Sequence, residues 1–197
     1  MAFEPKDFSN LLGIPGLSDQ MLKKHFTLYQ GYVANVNKLF DSFAAISNEG
    51  KASTPEYAEL KRRFGWEFNG MRLHELYFGN MKTDGFALSS SAALKQKIVK
   101  DFGSSEAWEK EFRATAAMRG IGWAVLCYDQ GSDKLINIWV NEHDVGHLAG
   151  AASLLVMDAF EHAFMLDYGT KRADYINAFF NTIDWDTVSH RFDSAKR

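Results

Sequence analysis

"GWAVLCYDQGSDKLINIWV", residues 122–140, is the stretch that separates this chain from an all-helical protein. Two runs rich in β-branched and aromatic residues, GWAVLCYD and KLINIWV, flank the polar turn QGSDK, which is the pattern of an antiparallel hairpin. A third short apolar run, SLLVM at 153–157, predicts a third strand. Upstream the period changes from two to about 3.6. In SDQMLKKHFTLYQGYVANVNKLFDSFAAI (18–46) apolar residues recur at helical spacing from Met21 to Phe40, with Ser18 as the expected N-cap. A polar break, SNEGKASTPEY, is read as a turn on the strength of Gly50 and Pro55. YAELKRRFGWEFNGMRLHELYFGNM (57–81) then resumes the helical pattern, with Gly65 and Gly70 expected where something packs closely. SAALKQKIVKDFG and SSEAWEKEFRATAAMRG predict two short helices, and KRADYINAFFNTIDWDTVSHRF (171–192) a return to helix.

The fold class that follows is α+β: an N-terminal antiparallel helical hairpin, then an α/β domain with a small three-stranded antiparallel sheet. The segment KTDGFALSS marks the expected boundary, dividing the chain into 1–84 and 85–197. At 197 residues, 46% hydrophobic and 24% charged, the chain has the composition of a soluble globular protein. Its 22 basic and 25 acidic residues, net −3, give none of the basic footprint of a nucleic-acid binder. No apolar run approaches the ~20 residues of a membrane span. The N-terminus lacks the basic start and apolar core of a signal peptide. The lone Cys127 excludes an internal disulfide and reads as a small core residue. The expected location is the cytoplasm.

The chemistry concentrates in six histidines and one acid. A lone histidine is more often a satisfied core or surface residue than a ligand, so the pattern has to decide. His25 lies on the aromatic face of the first predicted helix and His74 on the matching face of the second. An antiparallel pair brings such residues together, as metal sites inside helical bundles require. MDAFEHAFMLDY (157–168) places Asp158 and His162 directly after the third apolar run. Charged and imidazole groups there are costly to desolvate unless something compensates them. Either they form a solvated turn, or they converge on a metal. Three imidazoles and one carboxylate suit a redox-active first-row ion such as iron or manganese. A di-iron bundle is disfavoured, because the paired Glu-x-x-His motifs are missing.

DAFEHAFMLDYGTKRADYINAFFNTIDW resembles the C-terminal signature of the iron/manganese superoxide dismutases, D-x-[WF]-E-H-A-[YF] with its following helix. FNGMRLHELYFGNM resembles the family's second-histidine segment, MRGIGWAVLCYD its G-x-G-W strand, and YQGYVANVN its first helix. The resemblance implies a dismutase that converts superoxide to oxygen and peroxide by redox cycling of one iron or manganese ion per subunit. It places His74, Asp158 and His162 on ligand positions, Tyr32 on the tyrosine guarding the substrate channel, and Trp123 on its aromatic wall. His143, fifteen residues before Asp158, falls where some members hydrogen-bond the metal-bound solvent with histidine. Gly70, four before His74, fits those members. Glu161 and Tyr168 fall on positions reaching across a homodimer interface, where the glutamate meets the partner's His162. Dimer and tetramer are not separated by sequence, nor are iron and manganese.

The family's first ligand normally stands eight residues before the channel tyrosine, in H-x3-HH-x2-Y. Eight before Tyr32 is Lys24, a protonated and poor ligand; His25 is seven before. Ligand chemistry favours His25, provided the usual helix carries an extra residue that this chain lacks. With Lys24 at the site, the alternative is a non-catalytic or metal-poor relative serving as a dimeric metal-binding or scaffold protein. Phe160 replaces the more frequent tryptophan of the signature. His147, one helical turn after His143, and His190, near the C-terminus, read as surface residues, with a role for His147 left open. Lys171 and Arg172 read as a solvated helix start, or as cations that draw an anionic substrate.

Overall fold

The computed structural model describes residues 2–85, 87–89 and 92–196. Two long helices, α1 (Asp19–Asn48) and α2 (Pro55–Gly79), form the hairpin. Ser18 caps α1 by accepting the Met21 N–H, and its own N–H and hydroxyl donate to the Asp167 carboxylate at 2.7 and 2.6 Å. The two helices run antiparallel: Tyr32 meets Gly70, Asn35 meets Glu67, and Phe43 meets both Phe64 and Tyr57. Proline at N1 costs nothing, since that N–H has no helical partner. Pro55 therefore opens α2 under a Thr54 cap, rather than belonging to the turn as its residue type suggested.

Two short helices follow, α3 (Ala93–Phe102) and α4 (Ser105–Ala116), the second capped by Ser104. The sheet is β1 (Gly122–Asp129), β2 (Lys134–Asn141) and β3 (Ala152–Asp158), all antiparallel in the order β2-β1-β3. The expected three-stranded sheet is present, and Asp158 is the last residue of its third strand. A register shift between Leu126 and Cys127 leaves Leu154 as a bulge residue on β3. After β3 come a 3₁₀ turn (Glu161–Ala163), the short α5 (Met165–Tyr168), α6 (Arg172–Phe180) and α7 (Trp185–Ala195). The single helix expected over 171–192 is thus two. The break at Asn181–Asp184 is spent on tertiary pairing: Thr182 accepts the Lys82 N–H at 2.8 Å, and Asp184 donates its N–H to the Asn80 carbonyl at 2.9 Å.

That pairing closes the free edge of β3. Val156 donates its N–H to Asn80 Oδ1 at 2.8 Å, and Arg191 donates to the Leu154 carbonyl at 2.8 Å. An exposed edge would otherwise invite another strand. The core is one continuous cluster, running from Leu11, Met21 and Val33 in the helical half to Leu126, Val156, Phe179 and Phe192 in the sheet half. Within it Cys127 is buried, as its sequence context indicated. The expected boundary segment, 82–90, includes Phe86 and Ser90, which lie outside the described residues.

Candidate metal centre

Five segments deliver side chains to one end of the sheet. α1 brings His25 and Tyr32, two helical turns apart on one face; α2 brings Gly70 and His74, one turn apart. β3 ends on Asp158, and the 3₁₀ turn carries His162. A tight turn after β2 carries His143. Asn141 and Val145 pair across that turn, and Glu142 stands at φ +51°, an unusual conformation for a residue with a Cβ. Gly146, at φ +106°, has no room for a side chain, since a Cβ would lie 2.7 Å from the Trp139 carbonyl oxygen. Backbone strain here turns His143 inward, where it is fully buried.

His25, His74, Asp158 and His162 each present a donor atom, all within 4.8 Å of one another. Asp158 Oδ2 lies 3.1 Å from His25 Nε2, 3.1 Å from His162 Nε2 and 3.6 Å from His74 Nε2. Donors about 2.1 Å from a common ion sit about 3.0 Å apart at right angles and about 3.6 Å apart in a trigonal plane. The spacing is that of a coordination shell.

The protonation pattern agrees. His74 Nδ1–H donates to the Gly70 carbonyl at 2.6 Å, so the Nε2 lone pair is the one facing Asp158. His74 Nε2 is among the buried side-chain atoms without a hydrogen-bond partner, as is His25 Nδ1. A lone pair aimed at a carboxylate oxygen in a dry site is repulsive unless a cation lies between them. Burial holds both His25 and His74 below the ordinary imidazole range, so they are neutral and able to ligate. Burial by itself would raise the Asp158 carboxyl. The imidazoles of His162 and His25, each 3.1 Å from Oδ2, overcome it and keep the group ionised. Asp158 Oδ1 accepts the Phe160 N–H at 2.8 Å, leaving Oδ2 for the centre.

Lys24, the rival for the first position, is exposed and lines the outer groove beside His25. α1 is continuous through this region, so a residue seven before Tyr32 lies on the same face, whereas one eight before is turned away by a further 100°.

Tyr32 Oη lies 2.7 Å from His143 Nε2, and Trp123 Nε1–H donates to His143 Nδ1 at 3.1 Å. An indole only donates, so Nδ1 accepts, the neutral ring carries its proton on Nε2, and that N–H donates to Tyr32 Oη. Burial pushes His143 down to about 4 and Tyr32 up to about 12. At neutral pH the imidazole is uncharged and the phenol keeps its proton. Gly70 is the small residue this arrangement requires, since a Cβ there would lie 2.6 Å from the Tyr32 ring. Gly65, expected to play the same part, faces nothing within 4 Å. Phe160 is stacked between His143 and His162, with ring centroids 4.7 and 5.0 Å away.

Residues 90–191 match the family model described as iron/manganese superoxide dismutases, C-terminal domain. An iron superoxide dismutase of Aquifex pyrophilus is 41% identical over 199 residues, covering 98% of this chain and 92% of its own. The chain belongs to the iron/manganese superoxide dismutase family. An iron superoxide dismutase of Aquifex aeolicus is 39% identical over the same length, again at 98% and 92% coverage. A manganese superoxide dismutase of Haloferax volcanii is 38% identical over 182 residues, covering 92% of this chain and 89% of its own. The relatives of this family member thus carry either metal in their names.

The remaining sequence candidates are placed as follows. Glu161 is exposed, and the Tyr168 hydroxyl donates to the Gly16 carbonyl of its own chain. Arg172 donates to the carbonyls of Met118 and Gly120 at 2.6 and 2.9 Å, which ties its guanidinium to the turn before β1. His147 is exposed and donates to the His143 carbonyl at 2.9 Å; His190 is exposed. Sequence reasoning passed over Asn80 and Arg191. Nothing in their local pattern distinguishes them from surface residues at the end of a helix.

Proposed function

We propose that the protein is a superoxide dismutase whose iron or manganese ion is held by His25, His74, Asp158 and His162. The observation that carries this reading is the convergence of three imidazoles on one oxygen of a buried carboxylate. Bound there, the ion supplies a one-electron couple, through which two superoxide anions and two protons become oxygen and hydrogen peroxide.

The chain's own part is to hold the ion, exclude water and place protons. Trp123, His143 and Tyr32 form a donor chain in which each group satisfies the next. The Tyr32 O–H at its end is left to donate to reduced oxygen. A phenol with its pKa at about 12 stays protonated through the neutral range and serves as a donor there. His143, whose Nε2–H is given to Tyr32 Oη, is proposed to act on solvent at the centre through that phenol and so set its acidity. Loading the purified protein with iron and with manganese, and measuring superoxide loss for each, tests the reading. Protein that holds either ion in full and consumes no superoxide would overturn it.

We read the chain as a homodimer, divided at 84/85 into a helical and an α/β unit. Of the four ligands only His162 reaches the surface, its side chain 28% exposed. It opens on a groove of about 570 Å³ beside Glu161, walled by Met21, Leu28, Met165 and Leu166. Met165 and Leu166 are 44% and 49% exposed, an apolar face that a second copy covers. A twofold contact presents the patch twice, so Glu161 reaches the partner's His162 and accepts its free ring N–H. Glu161→Ala is therefore expected to weaken dimerisation and metal retention together. A variant that sediments as a dimer with full metal returns Glu161 to the surface. Among the described residues no helix is long and apolar enough to cross a membrane, and the one thiol is buried; we read the location as cytoplasmic.

A further inference from the structure

Beyond the ligands, the facing sides of α1 and α2 continue outward as an ordered series. After His25 and His74 come Tyr32 and Gly70, then Asn35 opposite Glu67 and Trp66, and finally Arg63. Burial falls along the same line. His74 and His143 are fully buried, Tyr32 and Trp66 are half-buried, and the Arg63 side chain is 55% exposed.

The outer members are held as firmly as the inner ones. Trp66 stands edge-on to His143 at 4.9 Å between centroids, and the Arg63 guanidinium lies over the Trp66 ring at 5.0 Å. The carboxylate of Glu67, only 5% exposed, accepts from Arg63 Nε at 2.8 Å and pairs with Nη2 at 2.6 Å. Asn35 Nδ2 donates to its other oxygen at 3.2 Å. Arg63 Nη1 makes no hydrogen bond among the described residues, so the guanidinium presents free N–H donors outward while its inner edge is fixed. A buried carboxylate behind an exposed guanidinium is a dipole with its positive end toward solvent. Such a group attracts an approaching anion more than the neutral sum of the pair suggests.

We propose that Arg63 receives superoxide at the outer end of this channel, with Glu67 and Trp66 as the residues that position it. The proposal rests on the dismutase reading and on Tyr32 as the gate. Arg172, the cation that the sequence offered for this task, lines a different cleft, with Glu161 and Met165. Lys24 lies on the opposite side of the centre, in the groove beside Glu161.

The test is kcat/KM for superoxide on the metal-loaded protein as salt is raised from about 0.01 to 0.1 M, which shortens the Debye length from about 30 to 10 Å. The wild-type rate is expected to fall with salt. Arg63→Gln is expected to be about threefold slower at the low end, a modest share of the steering range, and to converge with wild type at the high end. Arg63→Lys keeps the charge and restores the slope. Lys51→Gln, a charge removed from the exposed hairpin loop, leaves the slope unchanged. Loss of packing alone would lower the rate equally at every salt concentration and shift Tm. An Arg63→Gln enzyme with the wild-type salt slope overturns the proposal. A wild-type protein that turns over no superoxide would instead overturn the dismutase reading.

Discussion

Replacing Asp158 with asparagine is expected to strip iron or manganese from the purified protein and to lower superoxide turnover by more than about 100-fold, since changes outside the ligand shell alone cost 10–100-fold. The side chain is fully buried, and three imidazoles face its Oδ2. An amide keeps the shape and can still accept the Phe160 N–H at the Oδ1 position. It removes the negative charge and puts an N–H2 where the lone pairs were. That group can donate to the imidazole nitrogens of His25 and His162, 3.1 Å away, so the site no longer needs a cation. The fold should survive, while added metal ceases to raise Tm, as it does for any ligand that binds only the native state. Metal content by mass spectrometry, with thermal melts at increasing metal, decides it. An Asp158→Asn protein that keeps its metal and a tenth of its activity removes Asp158 from the ligand set.

Asn80→Ala is expected to be the most damaging change outside the centre, lowering stability by about 3 kcal/mol, the upper end of the cost of a buried donor left without a partner. Asn80 is fully buried beyond the C-terminus of α2. Its Nδ2 donates to the Tyr77 carbonyl, and its Oδ1 accepts from the Val156 N–H and, at 3.3 Å, from Arg191. Alanine orphans the Val156 donor, leaves the Tyr77 carbonyl with only the residue-80 backbone N–H at 3.2 Å, and loosens Arg191 from the α2 end, where it also caps the Leu76 carbonyl at 3.0 Å. For a chain of this size that loss corresponds to a fall in Tm of about 6–12 °C. The effect also reaches the site, because α2 carries His74 and β3 carries Asp158, and Asn80 ties one to the other. A melting temperature within two degrees of wild type, by calorimetry on metal-free protein, would show that the contact is dispensable.

Helices, hairpin and caps were legible because their causes are local. Ser18 and Ser104 cap as their positions suggested, and the alternation in 122–140 folds as the hairpin it describes. Pro55 was misread because proline opens a helix as readily as it makes a turn. The break at Asn181–Asp184 was missed because nothing in NTID interrupts the helical period. The interruption comes from backbone pairing with residues about a hundred positions away. Gly65 and Gly70 were alike on paper. Only one of them faces Tyr32.

The sequence by itself determined the classes of element, their order, the absence of a nucleic-acid footprint, and the resemblance that named a ligand set. All of these follow from composition, spacing and motif, which are properties of neighbours along the chain. Tertiary structure places His25 in the cluster and Lys24 outside it, the choice that ligand chemistry favoured, because a helix turns by 100° per residue and packing selects the inward face. It also decided that Asn80 and Arg191 close the sheet edge, and that Arg63 rather than Arg172 stands over Trp66 beside the gate. Each of those roles depends on what lies opposite a residue once two distant segments meet. A hydrogen-bond donor's partner is set by distance in space, and distance along the chain does not encode it.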